Sequence, residues 1–280
     1  MSTFLPYVEI KQLIRNPEEI PYGVDKINAM KMWNKGYKGK GIKVAVLDTG
    51  TPEHDDLNIV DAENFTNDSS DKDNQGHATH VAGTVGANGR IKGVAPEAEI
   101  YTAKVLSDKG SGANSWIAEG ISWCVDKDVD IINMSLGSPM DSREIRSAVS
   151  EAHRAGIIMV AASGNSGYEH GIGYPAAYDD VIATAAIDGE KERPDFSSVG
   201  EENEIAAAGV EVVSTYLDNR YARLNGTSMA SPHIAGAIAL IMQEQGKLAL
   251  PEIREIIHNN ATHPYDKERG EYYGYGIFKL

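Results

Sequence analysis

Short apolar runs alternate with segments of helical periodicity along most of the chain. The apolar runs at residues 42–47, 99–105, 129–134, 156–162, 181–186 and 204–207 are predicted strands, and residues 77–86, 111–127, 142–155, 229–245 and 251–259 are predicted helices. Continuously apolar strands interleaved with helices are typical of a parallel sheet that is covered on both faces. The pattern therefore predicts an α/β fold in one domain, without internal repeats or a linker.

Polar residues directly follow several of the predicted strands. Asp48 ends the run Val46-Leu47-Asp48-Thr49-Gly50, and Asn133-Met134-Ser135-Leu136-Gly137 and Ser163-Gly164-Asn165 stand at the ends of two further runs. Ligands of open α/β sheets bind outside the carboxyl ends of the strands. We therefore expect these residues to meet at one edge of the sheet.

The segment Asn225-Gly226-Thr227-Ser228-Met229-Ala230-Ser231-Pro232 precedes a run of small apolar residues. This pattern predicts a loop that places Ser228 in the first turn of a buried helix, where N–H groups and the helix dipole favour negative charge. A serine in such a place is often only a helix cap, and it needs a base before it can attack a substrate. Two upstream residues are candidate partners: Asp48, and His77 in Gly76-His77-Ala78-Thr79-His80.

Asp48, His77 and Ser228 follow one another in the chain order Asp, His, Ser, which is one of the orders found for serine triads. The three motifs closely resemble those of the subtilisin-like serine proteases, from about residue 20 to residue 276. The resemblance implies a three-layer fold with a mainly parallel central sheet and helices on both faces. It also implies that Ser228 is the nucleophile, that His77 is the general base and that Asp48 orients the imidazole, whereas His80 corresponds to a structural residue.

The resemblance assigns further residues to catalysis and to substrate binding. The Asn165 side chain and the Ser228 backbone N–H would form the oxyanion hole. A substrate would pair with exposed strand edges through its backbone, which tolerates many sequences. The residues implied in these edges and in the P1 pocket are Gly110, Ser111, Gly112, Ser135, Leu136, Gly137, Ser163, Gly164 and Gly173. Small residues favour large apolar P1 side chains, and Ser166, where some relatives carry glutamate, argues against a strong preference for basic ones.

Calcium is the cofactor that the resemblance implies, bound through oxygen ligands. One weak site would use the backbone carbonyls of Ala176, Tyr178 and Val181 and the carboxylate of Glu204. Asp56 resembles an aspartate of a second, tighter site. However, the loop at residues 84–93 is shorter than usual in the family and contains Arg90 and Lys92, which could replace the ion.

Residues 1–19 precede the part of the chain that resembles mature subtilisins, which is residues 20–280. In intracellular subtilisins a short extension lies across the active site and is removed on activation, and Phe4-Leu5-Pro6-Tyr7 resembles its inhibitory motif. Proline has a fixed φ and no N–H, so it can occupy a groove while holding the backbone away from attack. We expect Leu5, Pro6 and Tyr7 to inhibit the peptidase domain until the chain is cut between about residues 16 and 20; the alternative is a frayed terminus.

Charge and cysteine content narrow the class of protein. The 280 residues include 26 Lys and Arg and 41 Asp and Glu, which gives a net charge of −15 and argues against nucleic-acid binding. The single cysteine, Cys124, excludes an internal disulfide, as in a reducing compartment, and is expected to be buried and inert. The start of the chain lacks the features of a signal peptide, and no apolar run has membrane-spanning length. A cytoplasmic location without membrane association is therefore expected.

The leading interpretation is an intracellular serine endopeptidase of broad specificity that is made as a self-inhibited precursor. Its partners would be polypeptide substrates and its own N-terminal extension, and it could be a monomer or a homodimer. A narrow processing protease and a non-catalytic subtilisin-like binding protein are the alternatives. An α/β-hydrolase esterase is disfavoured because Gly226-Thr227-Ser228-Met229-Ala230 is not Gly-x-Ser-x-Gly and the triad order differs.

Overall fold

The computed structural model describes residues 2–4, 9–265 and 268–280. Its strands are β1 (Ser2–Phe4), β2 (Glu9–Ile14), β3 (Lys43–Asp48), β4 (Ile59–Asn64), β5 (Glu99–Lys104), β6 (Ser111–Ala113), β7 (Ile131–Met134), β8 (Ile158–Ala162), β9 (Val181–Ile187), β10 (Ile205–Ala208), β11 (Val212–Tyr216), β12 (Arg220–Asn225), β13 (Ala261–Thr262) and β14 (Ile277–Phe278). Its helices are α1 (Tyr22–Lys26), α2 (Ala29–Trp33), α3 (His77–Gly86), α4 (Asn114–Asp126), α5 (Arg143–Arg154), α6 (Thr227–Gln245) and α7 (Leu250–Asn259).

Nine of these strands form the central sheet, in the order β13-β14-β10-β9-β8-β7-β3-β5-β4. The pairs from β4 across to β14 are parallel, and only β13 runs antiparallel to its neighbour. The order changes direction between β3 and β7, so loops that follow these strands open a crevice at the carboxyl edge of the sheet. The predicted α/β fold with a mainly parallel sheet is confirmed.

The sheet is apolar on both faces because each face is covered by helices. On β3, Val44 and Val46 belong to one core cluster together with residues of α3 and α6. Ala45 and Leu47 point the other way, into a second cluster that contains residues of α4 and α5. Successive side chains of a strand point to opposite faces, so a strand buried on both faces is apolar at most of its positions. This explains the continuous apolar runs of the sequence and confirms the three layers.

The helix α6 passes through the centre of the fold and is buried from Thr227 to Met242. Its small residues allow close packing: a Cβ added at Gly236 would lie 2.7 Å from Cβ of Val94. Among the helices of the described ranges, none is long and apolar enough to cross a membrane.

The N-terminal residues extend two small sheets outside the central one. The strand β1 pairs antiparallel with β6, and β2 is the third strand of the sheet β11-β12-β2. Ile14, at the end of β2, packs against a cluster that includes Ile91 and Tyr221. Residues 2–4 and 9–14 are therefore ordered as strands rather than frayed. The helix predicted from residue 111 begins only at Asn114, because residues 111–113 form β6.

Candidate active site

Asp48 and His77 form a buried hydrogen-bonded pair at the carboxyl edge of the sheet. Asp48 ends β3, His77 is the first residue of α3, and the two are 0% and 2% exposed. The His77 Nδ1 atom lies 2.8 Å from Oδ1 and 2.9 Å from Oδ2 of Asp48. A carboxylate can only accept, so Nδ1 is the donor and the lone pair of a neutral imidazole is on Nε2. The Nε2 atom is buried and has no hydrogen-bond partner among the described residues.

A second buried carboxylate, Asp73, holds the helix start that carries His77. Its Oδ1 accepts hydrogen bonds from Thr49 Oγ1 (2.9 Å) and Gly76 N (2.9 Å), and its Oδ2 accepts from Thr79 N (2.8 Å) and Thr79 Oγ1 (2.6 Å). Thr49 Oγ1 also accepts from Ala78 N at 3.1 Å. Thr49 directly follows Asp48, so Asp73 and Thr49 tie the end of β3 to the first turn of α3. The sequence alone did not point to this role of Asp73.

Replacing Asp73 with asparagine is expected to lower the free energy of unfolding by about 2–4 kcal/mol, because the amide NH₂ would face N–H and O–H donors that the carboxylate now satisfies. Urea unfolding would measure this in the Ser228→Ala background, which avoids self-digestion. Asp55→Asn, at an exposed aspartate, is the control and is expected to change stability by less than about 0.5 kcal/mol. Equal stability of the two variants would show that Asp73 does not hold the helix.

Ser228 lies in the first turn of α6, directly after β12, and is fully buried. Its hydroxyl donates to the Ser135 carbonyl oxygen at 3.1 Å, and Ser135 Oγ donates back to the Ser228 carbonyl oxygen at 2.9 Å. Ser135 follows β7, so these contacts place Ser228 at the crevice of the sheet. Within the described ranges no hydrogen bond joins Ser228 Oγ to His77 Nε2, and the hydroxyl points to Ser135 instead.

The Asn165 side chain is oriented by the residue that precedes Ser228. Its Oδ1 accepts hydrogen bonds from Thr227 N (2.9 Å) and Thr227 Oγ1 (2.8 Å). Gly164 N also donates to Thr227 Oγ1, at 3.2 Å. The oxygen end of the amide therefore faces Thr227, and the NH₂ end carries the donors that an oxyanion needs.

The predicted substrate edges, β6 and Gly137, are occupied by the N-terminal residues of the same chain. Ser2, Thr3 and Phe4 lie opposite Ala113, Gly112 and Ser111 in an antiparallel ladder. Phe4 N donates to Gly137 O at 3.1 Å, and Gly137 N donates to Phe4 O at 3.0 Å. Gly110 lies in the turn before β6, with a φ of +72° that favours glycine. Residues 2–4 thus lie as a strand between two chain segments, which is how an extended peptide binds.

A cavity of about 270 Å³ opens beside Phe4. This cavity is lined by Phe4, Gly137, Ser138, Pro139, Ala162, Gly164, Asn165, Ser166, His170, Gly171, Gly173 and Ser198. The predicted residues Gly137, Gly164 and Gly173 are among these. The predicted residues Ser135, Leu136 and Ser163 are buried and do not line this cavity. Ser138, His170 and Ser198 also line the cavity and carried no signal in the sequence.

On the other side of Ser228, β2 runs antiparallel to β12. Glu9 lies opposite Asn225, and Ile14 lies opposite Tyr221. Because β12 leads directly into the turn that carries Ser228, the two described N-terminal strands lie on either side of this serine. The predicted inhibitory residues Leu5, Pro6 and Tyr7 connect these strands and lie outside the described residues.

The predicted calcium ligand Glu204 does not fit a metal ion. Both of its carboxylate oxygens accept hydrogen bonds from Arg254, and Oε1 also accepts from His258 Nε2 at 2.8 Å. The Arg254 guanidinium also donates to the Val181 carbonyl oxygen at 3.4 Å. The Tyr178 carbonyl oxygen accepts from Val181 N at 2.9 Å. The Glu204 carboxylate and the carbonyl oxygens of Tyr178 and Val181, three of the four predicted calcium ligands, therefore face protein donors.

Asp56 does not fit a calcium ion either. Its Oδ1 accepts from Arg90 N at 2.9 Å, and its Oδ2 accepts from Ile91 N and Tyr221 Oη at 3.0 Å each. Backbone N–H groups thus satisfy the carboxylate, and the side-chain cations of Arg90 and Lys92 do not. Across residues 2–4, 9–265 and 268–280, no group of three or more His, Cys, Asp or Glu side chains could hold a metal ion.

Two reactive side chains take structural positions. His80 Nε2 donates to the carbonyl oxygens of Val212 (3.0 Å) and Ala222 (3.2 Å), and burial lowers the pKa of His80 to about 3. This histidine is therefore neutral at ordinary pH and bridges β11 and β12. Cys124 is fully buried, and burial raises the pKa of its thiol, so the thiol is protonated and unreactive.

Comparison with known proteins identifies a family and several related sequences. The model of the Subtilase family matches residues 39–276. Subtilisin DY of Bacillus licheniformis is 46% identical over 271 residues, which cover 94% of this chain and 98% of that protein. Subtilisin Savinase of Lederbergia lenta is 45% identical over 249 residues, 88% of this chain and 92% of that protein. The major intracellular serine protease of Bacillus subtilis (strain 168) is 45% identical over 253 residues, 85% of this chain and 79% of that protein.

Proposed function

The chain belongs to the subtilase family and is a serine endopeptidase, and from this premise we propose a broad-specificity enzyme that is made in a self-inhibited form. Ser228 Oγ attacks the scissile carbonyl, and His77 Nε2 accepts its proton and later delivers it to the departing amine. Asp48 holds Nδ1–H and stabilises the imidazolium. The 2.8 Å contact between Nδ1 and Oδ1 and the burial of both side chains support these roles.

The oxyanion of the tetrahedral intermediate is bound by the Asn165 NH₂ group and the Ser228 backbone N–H. Two observations support this assignment. The Asn165 oxygen is held by Thr227, which fixes the orientation of the amide, and Ser228 lies in the first turn of α6, where N–H groups lack helical partners. Donors that are aligned in advance cost no reorganisation when the charge develops.

Broad specificity is supported by the way the groove binds a peptide. The contacts to residues 2–4 along β6 and to Phe4 at Gly137 use backbone atoms, which every substrate possesses. The cavity beside Phe4, which is the proposed P1 pocket, is lined mainly by small residues. Among the described residues, no Asp, Glu, Lys or Arg side chain lines it. Such a cavity favours large apolar P1 side chains over charged ones.

Self-inhibition rests on one observation: the N-terminal strands lie where a substrate would lie. Residues 2–4 fill the groove before Ser228, and residues 9–14 continue along β12 on the other side. A peptide held in this way blocks substrates at the high effective concentration of an intramolecular ligand. We therefore propose residues 1–19 as an inhibitory extension of a peptidase domain formed by residues 20–280, in which Leu5, Pro6 and Tyr7 span the catalytic residues.

The proposed cut between residues 16 and 20 is expected to be made by another molecule. The strands at residues 2–4 and 9–14 occupy the groove of their own chain, so a later bond cannot enter the same groove while they are bound. Asn16 is held outside the groove by a 2.7 Å hydrogen bond from Arg90 Nη2. A cytoplasmic location, supported by the name of the Bacillus subtilis relative and by the single cysteine, completes the proposal.

The test is a time course of intact mass and casein hydrolysis for the purified full-length protein. We expect a lag in hydrolysis that ends as residues up to the 16–20 region are lost, and a lag that shortens at higher protein concentration. The Ser228→Ala protein should stay whole alone and be trimmed when a trace of active enzyme is added. A variant that lacks residues 1–19 should show no lag.

Other outcomes separate the parts of the proposal. Casein hydrolysis without a lag and without trimming would overturn self-inhibition and leave the endopeptidase intact. A preference for one peptide over casein would favour a narrow processing protease. If casein survives even when residues 1–19 are absent, a non-catalytic binding protein becomes the better interpretation.

A further inference from the structure

Arg254 and His258 lie one turn apart on α7 and both contact the carboxylate of Glu204, directly before β10. Arg254 Nε lies 2.9 Å from Oε1 and 3.1 Å from Oε2, and Arg254 Nη2 lies 2.9 Å from Oε2. This is the bidentate arrangement that a planar guanidinium makes with a carboxylate, and it carries orientation as well as charge. The contact fixes the C-terminal helix against the edge of the central sheet.

The same guanidinium reaches two backbone carbonyls on the opposite side of the site. Arg254 Nη2 donates to Asp179 O at 2.8 Å and to Val181 O at 3.4 Å. The Arg254 guanidinium thus contacts a buried carboxylate from one chain segment and two carbonyl oxygens from another. A set of oxygen atoms of this kind is what a calcium, sodium or potassium ion takes in a protein.

Because the Glu204 carboxylate is buried, it needs a positive charge beside it. Glu204 is only 5% exposed. Burial alone would raise the pKa of Glu204, but the hydrogen bond from His258 and the charge of Arg254 together hold it below its usual value. A carboxylate that is both buried and ionised requires a partner of opposite charge. The cavity of about 320 Å³ at this site, lined by Ala176, Tyr178, Glu204 and Arg254 among others, shows that space for a metal ion exists beside the guanidinium.

We propose that the Arg254 guanidinium is the resident cation of this site, which we name the Glu204 site, so that this part of the fold is complete without a metal ion. The charge that an ion would bring is carried by α7, and it cannot be lost to dilution or to a chelator. Calcium binds at the Glu204 site only when Arg254 is removed. The stability of the region around residues 176–181 is therefore independent of calcium.

The experiment compares calcium binding by the full-length Ser228→Ala protein with that of the same protein carrying Arg254→Ala. Calorimetric titration with calcium chloride after chelator treatment gives the number of ions, and thermal unfolding with and without calcium gives the stability. We expect Arg254→Ala to bind one ion more than the parent, to unfold several degrees lower in chelator, and to recover part of this loss in calcium. In the parent, any effect of calcium on the unfolding temperature should be the same with Glu204 as with Glu204→Gln.

Two further variants locate the ion and guard against misfolding. Arg254→Lys retains a cation and is expected to bind no additional ion. Glu204→Gln in the Arg254→Ala protein should abolish the additional ion, which assigns it to the Glu204 site. A folded Arg254→Ala protein with the same ion count as the parent would overturn the proposal. If Arg254→Ala does not fold, Glu204→Gln in the parent decides: an unchanged ion count supports the proposal, and the loss of one ion overturns it.

Discussion

Replacing Ser228 with alanine is expected to lower kcat for peptide hydrolysis by about six orders of magnitude, the loss measured for the corresponding change in a subtilisin. The change removes only the hydroxyl group, and the nearby Ser135 Oγ cannot take its place because it is held by the Ser228 carbonyl oxygen and by Ser231. Binding is expected to persist because the groove at β6 and Gly137 is untouched. A residual rate of about 10³-fold over the uncatalysed reaction is expected from the oxyanion donors and bound geometry.

The fold should survive this change. Among the described residues, Ser228 Oγ donates only to Ser135 O, at 3.1 Å, and the loss of this bond costs about 0.5–1.5 kcal/mol. The measurement is kcat with a chromogenic peptide, beside near-ultraviolet circular dichroism, for variants that also lack residues 1–19. Ser231→Ala, which removes a hydroxyl from the same buried network, is the matched control and should retain kcat within about tenfold. Equal losses in the two variants would mean that the network, and not the nucleophile, carries the activity.

The central sheet and its helices were predictable because burial on both faces leaves a continuous apolar run. Helix α3 begins and ends at the predicted residues, and β3, β5 and β9 lie within a residue or two of their predicted bounds. The sequence does not predict the hairpin of β11 and β12 as strands, because polar residues interrupt any apolar run there even where they are buried, as Ser214 and Thr215 are. The turn itself is recognisable: Asp218 and Asn219 take φ values of 58° and 52°, as two-residue hairpin turns require.

The N-terminal strands could not be predicted from their own residues. The ladder of β1 with β6 and that of β2 with β12 join segments far apart in the chain, and backbone hydrogen bonds leave no mark on the sequence of either partner. The same reasoning explains Asp73: its hydrogen bonds depend on how Thr49 and Thr79 come together in space. Residues that act through local motifs are visible in a sequence, and residues that act through packing are not.

Calcium was expected at Glu204 because the spacing of Ala176, Tyr178 and Val181 matches the ligands of relatives. The spacing of residues within one segment of the chain does not show which side chain from a distant segment will lie beside them. Arg254 comes from α7, far along the chain, and donates to the Glu204 carboxylate and to the Val181 carbonyl oxygen. The sequence can thus indicate which residues surround a cation site, but the tertiary structure decides which cation occupies it.

Replacing Asp48 with asparagine is expected to lower kcat about 10⁴-fold with little change in KM, and the geometry shows why. Thr49 N donates to Asp48 Oδ1 at 2.7 Å, which would hold the oxygen of an asparagine in the same place. The new NH₂ group would then face His77 Nδ1, which lies 2.9 Å from Oδ2. Nδ1 would become the acceptor and the ring proton would move to Nε2. An imidazole protonated at Nε2 cannot accept the proton of Ser228.

Steady-state kinetics on one peptide, again without residues 1–19, would measure kcat and KM separately. Asp61→Asn, which breaks a surface ion pair with Lys127, is the control and should leave both constants within about twofold. The double variant Asp48→Asn with Ser228→Ala should be no slower than Ser228→Ala alone, because residues that act as one unit are not additive. An additive double variant, or a loss in Asp48→Asn that appears in KM and not in kcat, would show that Asp48 supports the groove instead of orienting His77.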